Sequence, residues 1–89
     1  MSAGIPSLPS LPTVVTVCWF RNPLSPVSLR RISQATVLGN DAEACLETLE
    51  TGARYNPAAE CLLANGFQLV TLLDFGIYGF SVFTSTPEA

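Results

Sequence analysis

Apolar positions in this chain follow distinct rhythms, and each rhythm marks a kind of local structure. Near the start, Ile5, Leu8 and Leu11 recur every third residue, between prolines 6, 9 and 12. A step of three suits polyproline II, so residues 1–12 predict an extended arm with one apolar stripe, laid along a neighbouring subunit or left as a leader. "TVVTVCWF", Thr13 to Phe20, is a run of β-branched and aromatic residues ending at "RNP", and it predicts a strand. After the prolines of "NPLSP", residues Val27 to Gly39 alternate less cleanly and predict an edge strand. In that strand Arg30, Ile32, Gln34 and Thr36 would point one way, and Leu29, Arg31, Ser33, Ala35 and Val37 the other.

The rhythm then becomes helical. Ala42, Cys45, Leu46 and Leu49 fall at i, i+3, i+4 and i+7, with Glu43, Glu47 and Glu50 on the wet side. Asn40 is placed to cap this helix in a capping box with Glu43, and Gly52 to end it. A second helix is predicted from Asn56 as N-cap and Pro57 at the first turn to Asn65-Gly66, burying Ala59, Leu62 and Leu63. Two strands close the chain: "FQLVTLLDF", Phe67 to Phe75, and "IYGFSVFTS", joined by a tight turn at Asp74 and Gly76.

Leu62 to Ser85 carries one carboxylate and no cation, which invites the question of a membrane span. Asn65-Gly66, Asp74 and the glycines would break such a helix, whereas two antiparallel strands use them. The predicted architecture is α+β, in the order β-β-α-α-β-β: an antiparallel sheet of about four strands with two helices on one face. The domain is expected over 13–86, with a short tail at 87–89. The other sheet face, assigned to Val70, Leu72, Tyr78 and Phe80 or their register alternates, is too apolar to leave wet.

Composition sharpens this. The 89 residues make one domain, and only 12% are charged, with no lysine or histidine and a net charge of −3. An ordinary globular chain is about 25% charged. So sparse a charge implies that apolar surface is covered by another chain, either a homo-oligomer or an obligate partner. Nucleic acid is disfavoured, since binding phosphates takes a basic face. Three widely spaced cysteines without histidine form neither a disulfide framework nor a zinc site, and are expected as reduced thiols in a cytoplasmic protein. No cofactor is implied.

The segment "AAECLLANGFQLVTLL", Ala58 to Leu73, resembles the core of the DUF4177 family, in which a helix runs into a Gly-aromatic-x-Leu-Val strand and an aromatic closing strand. Leu62, Leu63, Gly66, Phe67, Leu69 and Val70 carry the match, and "YGFSVF" stands where the closing strand would be. The family usually has Trp at the position of Phe67 and a charged end in place of "TSTPEA". The resemblance implies an α+β fold and lends no catalytic residues.

Candidate chemistry is thin. Asp74-Phe75-Gly76 is a hairpin turn rather than a kinase metal triplet, because no glycine-rich or catalytic loop accompanies it. Glu43, Glu47 and Glu50 read as a solvated helix face, and Cys45 and Cys61 lack a histidine to activate them. Catalysis is therefore not expected. Trp19 is expected to close one end of the core under the helices; alternatively, Trp19 and Arg21 at the end of the first strand, with Arg30 and Arg31 at the second, would form an anion- or nucleotide-binding cluster if those strands pair. The leading expectation is a non-enzymatic interaction protein, an accessory subunit or phage-type inhibitor, working through its sheet face and its arm. The alternative is an oligomeric binder of a nucleotide or other small anion.

Overall fold

A computed structural model describes residues 11–25 and 29–85. It is an α+β domain with a four-stranded antiparallel sheet in the order β2-β1-β4-β3. The strands are β1 (Val14–Phe20), β2 (Arg31–Leu38), β3 (Phe67–Asp74) and β4 (Tyr78–Ser85). Between β2 and β3 lie a 3-10 helix, Glu43–Leu49, and an α-helix, α1 (Tyr55–Ala64). The β-β-α-α-β-β order predicted from periodicity is the order observed. The proline arm's Ile5 and Leu8, and the tail from residue 86, lie outside the described residues, while Leu11 is exposed.

The two helices cover one face of the sheet. Val15, Val17 and Trp19 of β1, Ile32 of β2 and Phe83 of β4 point into that layer and are buried against Cys45, Leu49, Tyr55, Ala58 and Leu62. Burying a large apolar side chain contributes about 1.5–3 kcal/mol, so this layer holds the fold together. It contains one polar pair: the Tyr55 hydroxyl and Ser81 Oγ lie 2.6 Å apart, so each satisfies the other. Gly79 is dictated by packing. A Cβ there would collide with the Leu73 carbonyl and the Trp19 ring, because the indole lies against β4 at that point.

Several local expectations are corrected. The first helix is 3-10 rather than α; it begins after Ala42, and no side chain caps it. Its stripe is narrower than the sequence suggests, with Ala42, Cys45 and Leu49 buried and Leu46 exposed. In α1, which starts one residue before Asn56, the buried residues are Tyr55, Ala58 and Leu62; Ala59 is half-buried and Leu63 exposed. The difference is one of rotation: Tyr55 reaches Ser81 and Trp19, and that contact turns the helix about one position from its apolar stripe. Its predicted end is observed, with Asn65 as C-cap and Gly66 at φ +89°.

The cysteine expectation is overturned outright. Cys45 and Cys61 form a disulfide, Cα–Cα 5.8 Å apart, that ties the 3-10 helix to α1. Each sits on the face its helix turns toward the other, which spacing along the chain does not reveal. Cys18 is the free thiol and is half-buried.

The two edges of the sheet differ. Along β2 the connector before α1 acts as a cover: the Ile32 amide donates to the Ala53 carbonyl (2.8 Å) and the Gly52 amide to the Ile32 carbonyl (2.7 Å). The Tyr55 amide donates to the Arg30 carbonyl (3.0 Å), so the start of this edge is closed. At the opposite edge, β3 pairs only with β4 among the described residues, and every residue from Gln68 to Asp74 is exposed.

Candidate functional site

Arg21 and Arg30 flank Trp19 at the end of the sheet where β1 stops and β2 begins, whereas Arg31, opposite Phe20, stands on the other face. Trp19 takes the core-closing place expected for it under the helices, and the stacking alternative is the one corrected. Trp19 is 1% exposed and closes the core, leaving no ring face for a base. The Arg21 and Arg30 guanidinium carbons lie 4.8 and 5.1 Å from its ring centroid, and Arg30 is also 4.3 Å from the Tyr55 ring. Such cation–π contacts contribute about 0.5–1 kcal/mol each near the surface. The indole Nε1 is buried with no acceptor among the described residues.

Each arginine has further partners. Arg21 donates to the Gly76 carbonyl (2.7 Å) and to both Asp74 oxygens (3.3 and 3.4 Å). It thereby braces the β3–β4 turn, where the Gly76 amide donates to Asp74 Oδ1 at 2.8 Å. That amide is the main cause that holds the Asp74 carboxyl below its ordinary range; desolvation opposes it, and the charge and hydrogen bond of Arg21 add to the lowering. Arg30 donates to Asn56 Oδ1 (3.3 Å), and Arg31 to the Gly52 carbonyl (3.0 Å). An open cavity of about 470 Å³ lies beside the cluster, lined by Phe20, Arg21, Asn22, Pro23, Leu29 and Arg31. Arg21 and Arg31 share its wall; Arg30 is turned away into the aromatic stack.

The second candidate is the sheet face without helices. Residues directly opposite on paired strands share a face. The pairings Cys18↔Phe80, Phe20↔Tyr78 and Thr16↔Val82 therefore place these six side chains together, away from the core. Val14, Leu38 and Thr84 extend the surface at one end, and Leu73 beside Phe80 extends it across β3. Tyr78 and Phe80 stand where sequence placed them, on the uncovered face.

Val70 and Leu72 are corrected. The pairing shifts register between Leu69 and Thr71, leaving Val70 without an opposite residue. Leu72, opposite Ser81, consequently lies on the helix side, 40% exposed because it sits at the sheet's edge. A similar shift at Cys18/Trp19 puts Ile32 on the same face as Ala35 and Val37, which plain alternation separates.

Cys18, Val14 and Phe20 were missed as surface residues of this face. The signal was present in "VVTVCWF", apolar at both parities, which is how a strand covered on both sides reads. Among the described residues no acid lies on this face, and Arg31, opposite Phe20, marks one corner. No group of acidic or cysteine residues suited to a metal is found among the described residues, and none of their helices is long and apolar enough to cross a membrane. No family model, no curated protein and no solved structure matches the chain.

Proposed function

We propose that this is a non-enzymatic interaction protein, an accessory subunit or small inhibitor of phage type, that works through the uncovered face of its sheet. The observation that carries this reading is the face itself: a four-stranded surface without an acid, apolar at its centre around Cys18, Phe80 and Val82 and polar on its outer strands at Gln34, Thr36, Gln68 and Thr71. Apolar patches of several hundred Å² on small domains mark contact sites, because leaving them wet forgoes the burial that stabilises everything else. The arm, with Ile5, Leu8 and Leu11, belongs to the same reading as a second contact element. A DUF4177-like kinship is part of the same proposal and would lend it a fold and no chemistry.

An oligomeric anion binder is the second reading, favoured by the cavity that Arg21 and Arg31 share. It is the weaker one, since both guanidinium groups already have carbonyl or carboxylate partners. The disulfide bears on location: such bonds persist in oxidising compartments, so it favours one of these over the cytoplasm expected from composition.

Native mass spectrometry of gently purified full-length chain, with an absorbance spectrum of the same sample, separates the readings. A protein complex or homo-oligomer without small-molecule mass supports the interaction protein. Extra bound mass with ultraviolet absorbance, lost on Arg21→Ala with Arg31→Ala, supports the anion binder. A monomer without bound mass that stays soluble at high concentration contradicts both.

A further inference from the structure

We infer that the occupant of the uncovered face is a second copy of this chain, packed sheet against sheet, with both helical layers on the outside. The inference rests on the interaction reading and names its partner. Size is the first argument. Four strands at a spacing of ~4.8 Å and seven residues at ~3.4 Å give a face of roughly 19 by 24 Å, or about 450 Å² in projection. Side chains standing up from the sheet raise its accessible area further, toward the ~800 Å² that each partner buries in a standard interface. A single arm strand or a peptide would cover only a part of it. A surface of the same extent is what a second sheet supplies, and two such sheets pack with their strands within about 30° at a separation of ~10 Å.

Charge is the second argument. The described acids other than Asp74 lie between Asp41 and Glu60, in the helical layer and its connections. Asp74 is opposite Gly79, on the helix side, and is paired with Arg21. Face-to-face association of two negative chains therefore brings no carboxylate against another. The acidic layers end up beyond two sheets from each other, farther than the ~8 Å over which charge is felt at physiological salt. A partner of different kind would ordinarily be selected by complementary charges around such a face, and only Arg31 at one corner offers any. The neutral middle of the face, Thr16, Cys18, Phe80 and Val82, meets its own copy at no electrostatic cost.

Sedimentation equilibrium of the full chain over a wide concentration range tests this, alongside Tyr78→Lys and Phe80→Glu on the face and Leu69→Lys on the helix side of β3. Circular dichroism and thermal melting verify folding; Tyr78 is 57% exposed, so lysine there does not disturb the core. The expected result is a wild-type dimer, at least tenfold weaker in Tyr78→Lys, abolished in Phe80→Glu and unchanged in Leu69→Lys. A wild-type monomer whose apolar-dye binding is lost in Tyr78→Lys would overturn the second copy while leaving the interaction reading intact. A monomer that binds no such dye would overturn both. A dimer weakened by Leu69→Lys and not by Tyr78→Lys would put the contact at the β3 edge, and the face-to-face arrangement would fall.

Discussion

The two faces of this sheet are made from the same strands and nearly the same kinds of residue, yet they have different fates. Along β1, Val15, Val17 and Trp19 are sealed beneath the helices, while Val14, Thr16 and Cys18 between them are only half-buried by their neighbours. The covered face has a lid of its own chain, fixed by the Cys45–Cys61 disulfide and by the Tyr55–Ser81 hydrogen bond. The open face has no such lid among the described residues; it mixes polar Thr16, Gln34, Thr36, Gln68, Thr71 and Thr84 with apolar Cys18, Phe20, Phe80 and Val82. On the proposed reading, a second copy of the chain supplies the cover that the open face lacks among the described residues. That reading puts stability and association on opposite sides of one sheet.

That separation is breakable by mutation. Trp19→Ala on the covered face should cost about 3–5 kcal/mol, measured by urea unfolding, because it removes the largest buried side chain and two arginine contacts with it. Reducing the disulfide should lower stability by about 3 kcal/mol, the loop-closure contribution for a link of 16 residues. Comparing melting curves with and without reductant reads it. Tyr55→Phe leaves Ser81 buried without its partner and should cost about 1–3 kcal/mol in the same unfolding assay. On the open side, Tyr78→Ser should change unfolding free energy of dilute protein by no more than about 0.5 kcal/mol. A large loss there would mean that the two faces share one energetic role.

The smallest effect concerns pH. Asp74 titrates below its ordinary value of 3.8 in the folded chain. A depressed carboxylate contributes stability that is present above that value and lost as pH falls through the lower, folded one. Carboxyl chemical shifts followed by NMR should show Asp74 titrating below 3.8, with the hairpin turn loosening only in that range; in Arg21→Ala the depression should shrink without vanishing, since the Gly76 amide is its larger cause.

Much of this architecture was legible in the sequence. The order of elements, the turn at Asp74 and Gly76, the end of α1 at Gly66 and the edge position of β2 follow from local rules about backbone preference. What escaped depended on packing between distant elements. Two register shifts change the faces of Ile32 and Leu72, and nothing in "RISQ" or "LVTL" announces an unpaired residue. The disulfide needed the two helices docked before their facing cysteines became neighbours. For the arginines, residue type pointed to a ligand, whereas the structure supplies internal partners: an indole ring, a turn carbonyl and a carboxylate.

Cys18 offers the most direct test of whether the open face is covered, because the other two cysteines are bonded and it lies on β1 at the middle of that face. Its rate of reaction with a small maleimide should be measured on native full-length chain across a hundredfold range of concentration. The account predicts rapid labelling in dilute protein and protection of at least tenfold in concentrated protein, lost again in Tyr78→Lys. Equal rates at every concentration, as fast as in that variant, would mean that the face stays open and would contradict the account.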